Sequence, residues 1–119
     1  MASNWNDRRV VITGLGVVSP LGHQVDAFWA NLIGGQCGID KITRFDASKF
    51  DSQIAAEVKD FDPLPALPSP KEIRRTDRFS QFGVHAAWQA LRDSGLDLER
   101  VNRDEIGVFL GSGIGGLYT

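Results

Sequence analysis

The stretch RRVVITGLGVVSPLG, residues 8–22, decides the fold of this chain. A basic pair leads into the β-branched run Val10, Val11 and Ile12. Glycines at 14 and 16 interrupt it, and Val17 and Val18 continue to the turn-forming pair Ser19-Pro20. The apolar residues are nearly continuous rather than alternating, which predicts a strand over residues 10–13 covered on both faces, as in an α/β domain. A second continuous run, residues 106–110, predicts another such strand, and it opens into the glycine-rich loop GSGIGG, residues 111–116.

Between these runs the periodicity changes. Val25, Phe28, Trp29, Leu32 and Ile33 fall at i, i+3, i+4, i+7 and i+8, one stripe of a helix that Gly34-Gly35 stops and that a sheet would support. Residues 37–58 carry scattered apolar positions and read as an excursion from the core, with Ile54, Ala55, Ala56 and Val58 suggesting a short strand. Asp62 and the prolines at 63, 65, 68 and 70 exclude a central strand or helix interior, because proline lacks the donor and fixes φ. The flanks are too short for two cores, so this is a surface loop within one domain. Pro70 suits the first residue of a short helix to about Thr76. Asp77 then caps a longer helix to Ser94, closed by Gly95. In that helix Phe79, Phe82, Gly83, Ala86, Ala87, Ala90 and Leu91 repeat at three- and four-residue steps, small enough for close approach to a neighbour.

A length of 119 residues with 42% hydrophobic content fits one domain with a globular core. A net charge of −2 gives no general attraction for nucleic acid or an anionic membrane, so neither is expected as a partner. A single cysteine excludes an internal disulfide and fits a reducing compartment. The opening MASNWNDRR has no signal-peptide core, and no run approaches the roughly 20 apolar residues that span a bilayer, so the expected location is the cytoplasm.

Several motifs invite chemistry. The GLG after the first strand lacks the third glycine of a dinucleotide fingerprint, since Ser19 stands there before Pro20. GSGIGG has no following Lys-Ser or Lys-Thr and is not a P-loop; it reads as a strand end where other backbone comes close. Lys71, Arg74, Arg75 and Arg78 would share one helix face, and their mutual repulsion is only partly relieved by Glu72 and Asp77. Such a run is either a solvated face or a surface for an anionic partner. Ile114, isolated between glycines, reads on its own as a core filler. Cys37, in GGQCGI, is a structural or incidental thiol, and His23 and His85 stand at no metal-ligand spacing and receive no role.

Together, RRVVITGLGVVSPLG and GSGIGG resemble the opening of β-ketoacyl-acyl-carrier-protein synthases of the type II, elongating kind, and the likeness runs over essentially the whole chain. The resemblance implies an α/β, thiolase-like fold of two βαβαβαββ halves in five layers, usually a homodimer, of which these residues are the incomplete first half. It implies an acyltransferase of fatty acid biosynthesis that elongates acyl chains by decarboxylative Claisen condensation with malonyl carrier protein. A cysteine nucleophile and two histidines are expected beyond Thr119, so the chain is read as an N-terminal fragment or shortened product, inactive alone. No cofactor is implied other than the phosphopantetheine arm of the acyl carrier protein. By the same resemblance Ile114 and Gly113 belong to the acyl-chain pocket, Ile114 as a gate that the flanking glycines allow to move. Lys71, Arg74 and Arg75 form the docking patch for the carrier protein. Two alternatives stand beside this reading: a non-catalytic chain-length-factor paralogue of a polyketide synthase, and a module that only docks carrier protein. If only these residues existed, both predicted strands would lack neighbours and leave edges and apolar surface exposed.

Overall fold

The computed structural model describes residues 9–116. Its elements are α1 (Val25–Ile33), a hairpin of β1 (Ile39–Lys41) and β2 (Ile54–Ala56), the single turn α2 (Pro70–Ile73), the long helix α3 (Arg78–Asp93), and a 3-10 turn at Arg103–Glu105.

The helices lie where local signals put them. α1 begins after Gln24, whose backbone is extended, and Gly34 ends it, with Gly35 taking a positive φ of 69° just beyond. Its apolar stripe is only partly covered: Val25 and Phe28 are half-buried, whereas Trp29, Leu32 and Ile33 face solvent. α3 has Asp77 at its N-cap position and Ser94 at its C-cap, followed by Gly95 at φ 64°. The expected helix from Pro70 to about Thr76 is shorter, ending at Ile73, and the chain turns through residues 74–76 before α3.

The excursion is a two-stranded antiparallel sheet, in which Ile39 faces Ala56, Asp40 faces Ala55 and Lys41 faces Ile54. β2 lies within the stretch that suggested a strand; β1 had no sequence signal, because its one apolar residue, Ile39, sits beside Asp40 and Lys41. Past the strands the Glu57 carboxylate accepts from the Thr43 hydroxyl at 2.7 Å and from the Thr43 and Arg44 amides at 3.1 and 3.3 Å. The Thr43 hydroxyl bond is the main reason its pKa lies below the ordinary carboxylate value.

Two expectations are corrected. Residues 10–13 and 106–110 form no strand and are not buried: Val10 is 92% and Phe109 97% exposed. The described residues also build no globular core. Among the described residues Ala47 is the one buried apolar side chain. The accessible surface of 10,074 Å² compares with about 6,300 Å² for a compact protein of this mass. The radius of gyration, 18.2 Å, compares with about 13.5 Å. The physical reason is common to both. A strand covered on both faces needs paired neighbours and packed layers, and among the described residues nothing pairs with either segment. The exposed edges and apolar surface expected of such isolated segments are what the structure contains.

Candidate functional site

α3 organises the rest of the molecule through two adjoining faces. Gly83, Ala86 and Ala90 form a small-residue face that receives the N- and C-terminal segments. A Cβ added at Gly16 would lie 1.9 Å from the Ala86 carbonyl oxygen, and one at Gly14 would lie 2.1 Å from that of Ala90. The glycines of GLG are therefore spent on close approach to a helix. From the other end of the chain, Leu110 reaches within 3.3 Å of the Cβ position of Gly83. Between the two segments and α3 lies an apolar cleft of about 420 Å³, bounded by Val17, Val18, Phe79, Phe82, Ala86 and Leu110.

The other face is polar. Gln81, His85 and Gln89, four residues apart, are the buried residues of α3. Gln89 Nε2 donates to the carbonyls of Val17 at 3.1 Å and His23 at 2.7 Å, fastening the turn before α1. Gln81 Nε2 donates to the carbonyls of Ile73 and Thr76, both at 2.9 Å, fastening the end of α2. His85, between them, is 3% exposed, and neither ring nitrogen has a hydrogen-bond partner among the described residues. Aromatic rings surround it instead: Phe61 at 5.1 Å and Trp88 at 5.6 Å between centroids. Phe61, from the proline-rich loop, also meets Phe82 at 4.9 Å and His23 at 5.6 Å, each edge to face. Burial lowers the His85 pKa below its ordinary value, the nearby His23 lowers it further, and Asp62 partly opposes the shift. Sequence reasoning assigned nothing to these three side chains. The signal available was polar residues at i, i+4 and i+8 beside an apolar face, the spacing of one helical stripe.

The cationic cluster divides. Lys71 lies in α2, Arg74 caps its C-terminus and Arg75 follows, all three exposed. Among the described residues no ion pair engages them. Arg78 was expected on the same face, but the chain is extended at Asp77 and Arg78 starts a different helix. It is half-buried, donates from Nη2 to the Val58 carbonyl at 2.8 Å, and lies 5.1 Å from the Phe82 ring centroid. It is a structural cation; the other three face solvent.

Ile114 and Gly113, the expected pocket residues, are not brought to the cleft, whose lining extends no further along this loop than Ser112. Ile114 is 78% exposed, and a Cβ on Gly113 would meet nothing within 4 Å. Cys37 is exposed in the loop before β1, where its Sγ lies 3.7 Å from the Ile39 carbonyl. Among the described residues no group of three or more histidine, cysteine or carboxylate side chains could hold a metal, and no helix is long and apolar enough to cross a membrane.

Comparison with known proteins gives a consistent family. A family model described as "Beta-ketoacyl synthase, N-terminal domain" matches residues 7–119. The chain is 57% identical over 110 residues to a protein of Coxiella burnetii named 3-oxoacyl-[acyl-carrier-protein] synthase 2, covering 92% of this chain and 26% of that one. It is 47% identical over 115 residues to a Synechocystis protein of the same name, covering 97% and 27%. Among solved structures it resembles the ishigamide ketosynthase/chain length factor, with a TM-score of 0.68 at 40% identity over 77% of this chain and 23% of the other. It also resembles a Burkholderia phymatum β-ketoacyl synthase, with a TM-score of 0.61 at 33% identity, over 78% and 23%. The chain thus spans about a quarter of the length of the curated relatives it matches.

Proposed function

The chain belongs to the β-ketoacyl synthase family through its N-terminal domain, and from that premise we propose that it forms the front portion of an elongating 3-oxoacyl-acyl-carrier-protein synthase. The proposal includes the α/β, thiolase-like architecture, a cytoplasmic homodimer, and no cofactor other than the carrier protein's phosphopantetheine arm. In the proposed reaction an acyl group is held as a thioester on a cysteine. Malonyl carrier protein loses carbon dioxide, and the resulting carbanion attacks the acyl carbonyl, forming the new carbon–carbon bond and releasing the thiolate. Cys37 is not that nucleophile. It sits in an exposed loop rather than at the helix N-terminus that would stabilise a thiolate.

These residues contribute recognition. Lys71, Arg74 and Arg75 are the proposed landing site for the acidic carrier protein, and the observation that carries this role is their exposure without ion pairs among the described residues. Three unneutralised cations within five positions set up a field that speeds encounter, and the arginines can grip carboxylates or a phosphate through two parallel bonds. Ile114 and Gly113 are proposed as part of the acyl pocket, on the strength of the family likeness and of the backbone freedom that flanking glycines allow.

Titration of the protein with acyl carrier protein tests the docking role. Reversing all three charges, as Lys71→Glu, Arg74→Glu and Arg75→Glu, should weaken binding by about a hundredfold and flatten its dependence on salt. Unchanged affinity would overturn the assignment. The likeness to the ketosynthase/chain length factor supports a second reading, a non-catalytic partner subunit. Acyl transfer from carrier protein to a cysteine of the protein would exclude it.

A further inference from the structure

We propose that Gln81 is a positioning residue for carrier-protein docking, holding the turn that carries Arg74 and Arg75 in a fixed place against α3; the inference rests on the docking role proposed above. α2 is one turn of four residues, too short to persist through its own hydrogen bonds. Ser69, at its N-cap position, makes no side-chain capping bond. The orientation of its cations must therefore come from outside the turn.

Gln81 supplies it. Its amide donates to the carbonyls of Ile73 and Thr76, the residues that bracket Arg74 and Arg75 in the chain. Both partners are acceptors, which fixes the amide with its nitrogen toward α2. The Thr76 hydroxyl closes the same loop by donating to the Glu72 carbonyl at 3.0 Å. The two arginines therefore sit on a short arch with both feet fastened to one buried nitrogen of a sixteen-residue helix. Order imposed on the arch before the partner arrives is order that binding does not have to create.

Gln89 is a built-in control. It is buried on the same face and makes the same pair of bonds, but to Val17 and His23, on the segment leading to α1. In titrations of the intact protein with acyl carrier protein, Gln81→Met should weaken binding about three- to tenfold and Gln89→Met less than about twofold, while both lower the unfolding midpoint similarly. Gln81→Asn, one methylene shorter but still a donor, should fall between wild type and Gln81→Met, which keeps the test open if the methionine variant fails to fold. In an Arg74→Glu, Arg75→Glu background Gln81→Met should cause no further loss, because there are no cations left to position. Equal binding losses for the two glutamine variants, or an undiminished effect of Gln81→Met in that background, would overturn the inference. If the arginine reversals themselves leave affinity intact, the docking role fails and the positioning role falls with it.

Discussion

The proline-rich loop with α2 and the two glycine-bearing segments all meet α3, and they meet it in opposite ways. The loop is held by Gln81 on two carbonyls and by Phe61 set among Phe82, His85 and His23. The segments approach α3 closely at Gly14, Gly16 and Leu110, with the Leu15 amide donating to Asp93 and Gln89 donating to the Val17 carbonyl, yet they turn Val10, Ile12, Val108 and Phe109 to solvent. The difference is one of self-sufficiency. Hydrogen bonds and ring contacts to one helix complete a loop, whereas a both-faces-buried strand is not complete until other strands and layers cover it.

The sharpest break of this contrast is Gly16→Ala. Its Cβ would be driven into the Ala86 carbonyl, so the segment must leave α3, with a loss of about 3 kcal/mol in chemical denaturation of the protein. A loss under about 0.5 kcal/mol would show that the contact does not hold the segment.

His85 probes the other side. Its folded-state pKa lies below the ordinary value of 6.5, chiefly because it is buried. The unfolded chain therefore binds the proton first as pH falls. His85's contribution is complete above about pH 6.5 and shrinks as pH drops from there towards the lower folded value, by at most about 1.4 kcal/mol per pH unit. His23 and Asp62 face the same pocket, and Arg78 lies across the Phe61 ring. His85→Phe keeps a ring in the aromatic cage and should reduce the stability difference between about pH 7.5 and 5.5. An identical pH dependence in the variant would place the proton uptake elsewhere.

The smallest effect is expected for Gly113→Ala, on the same kind of glycine-bearing segment but with open space at the Cβ position. Denaturation midpoints should differ from wild type by less than about 0.5 kcal/mol. A large loss would mean that the loop is packed in solution.

What was legible in the sequence follows the same division. The ends of α1 and α3 are readable because Gly34 and Gly95 act on their own neighbours in the chain; α3 also begins after Asp77 as expected, although the Asp77 side chain makes no capping hydrogen bond. The close approach foreseen for Gly83, Ala86 and Ala90 also holds, since side-chain size is a local property. The strands at 10–13 and 106–110 were read from composition alone, but pairing is a property of neighbours, and none is present among the described residues. At the candidate site Lys71, Arg74 and Arg75 were found by charge. Helical spacing groups Arg78 with them, but the extended backbone at Asp77 breaks the helix and places Arg78 apart. Gln81 and Gln89 escaped notice because a glutamine's value lies in which carbonyls fold back to it.

The most direct test of the docking surface is amide hydrogen exchange on the intact protein with and without acyl carrier protein. Protection should appear at the amides of residues 71–76, around Lys71, Arg74 and Arg75, and vanish in the triple charge reversal. Protection confined to other segments, with residues 71–76 exchanging as in the free protein, would contradict it.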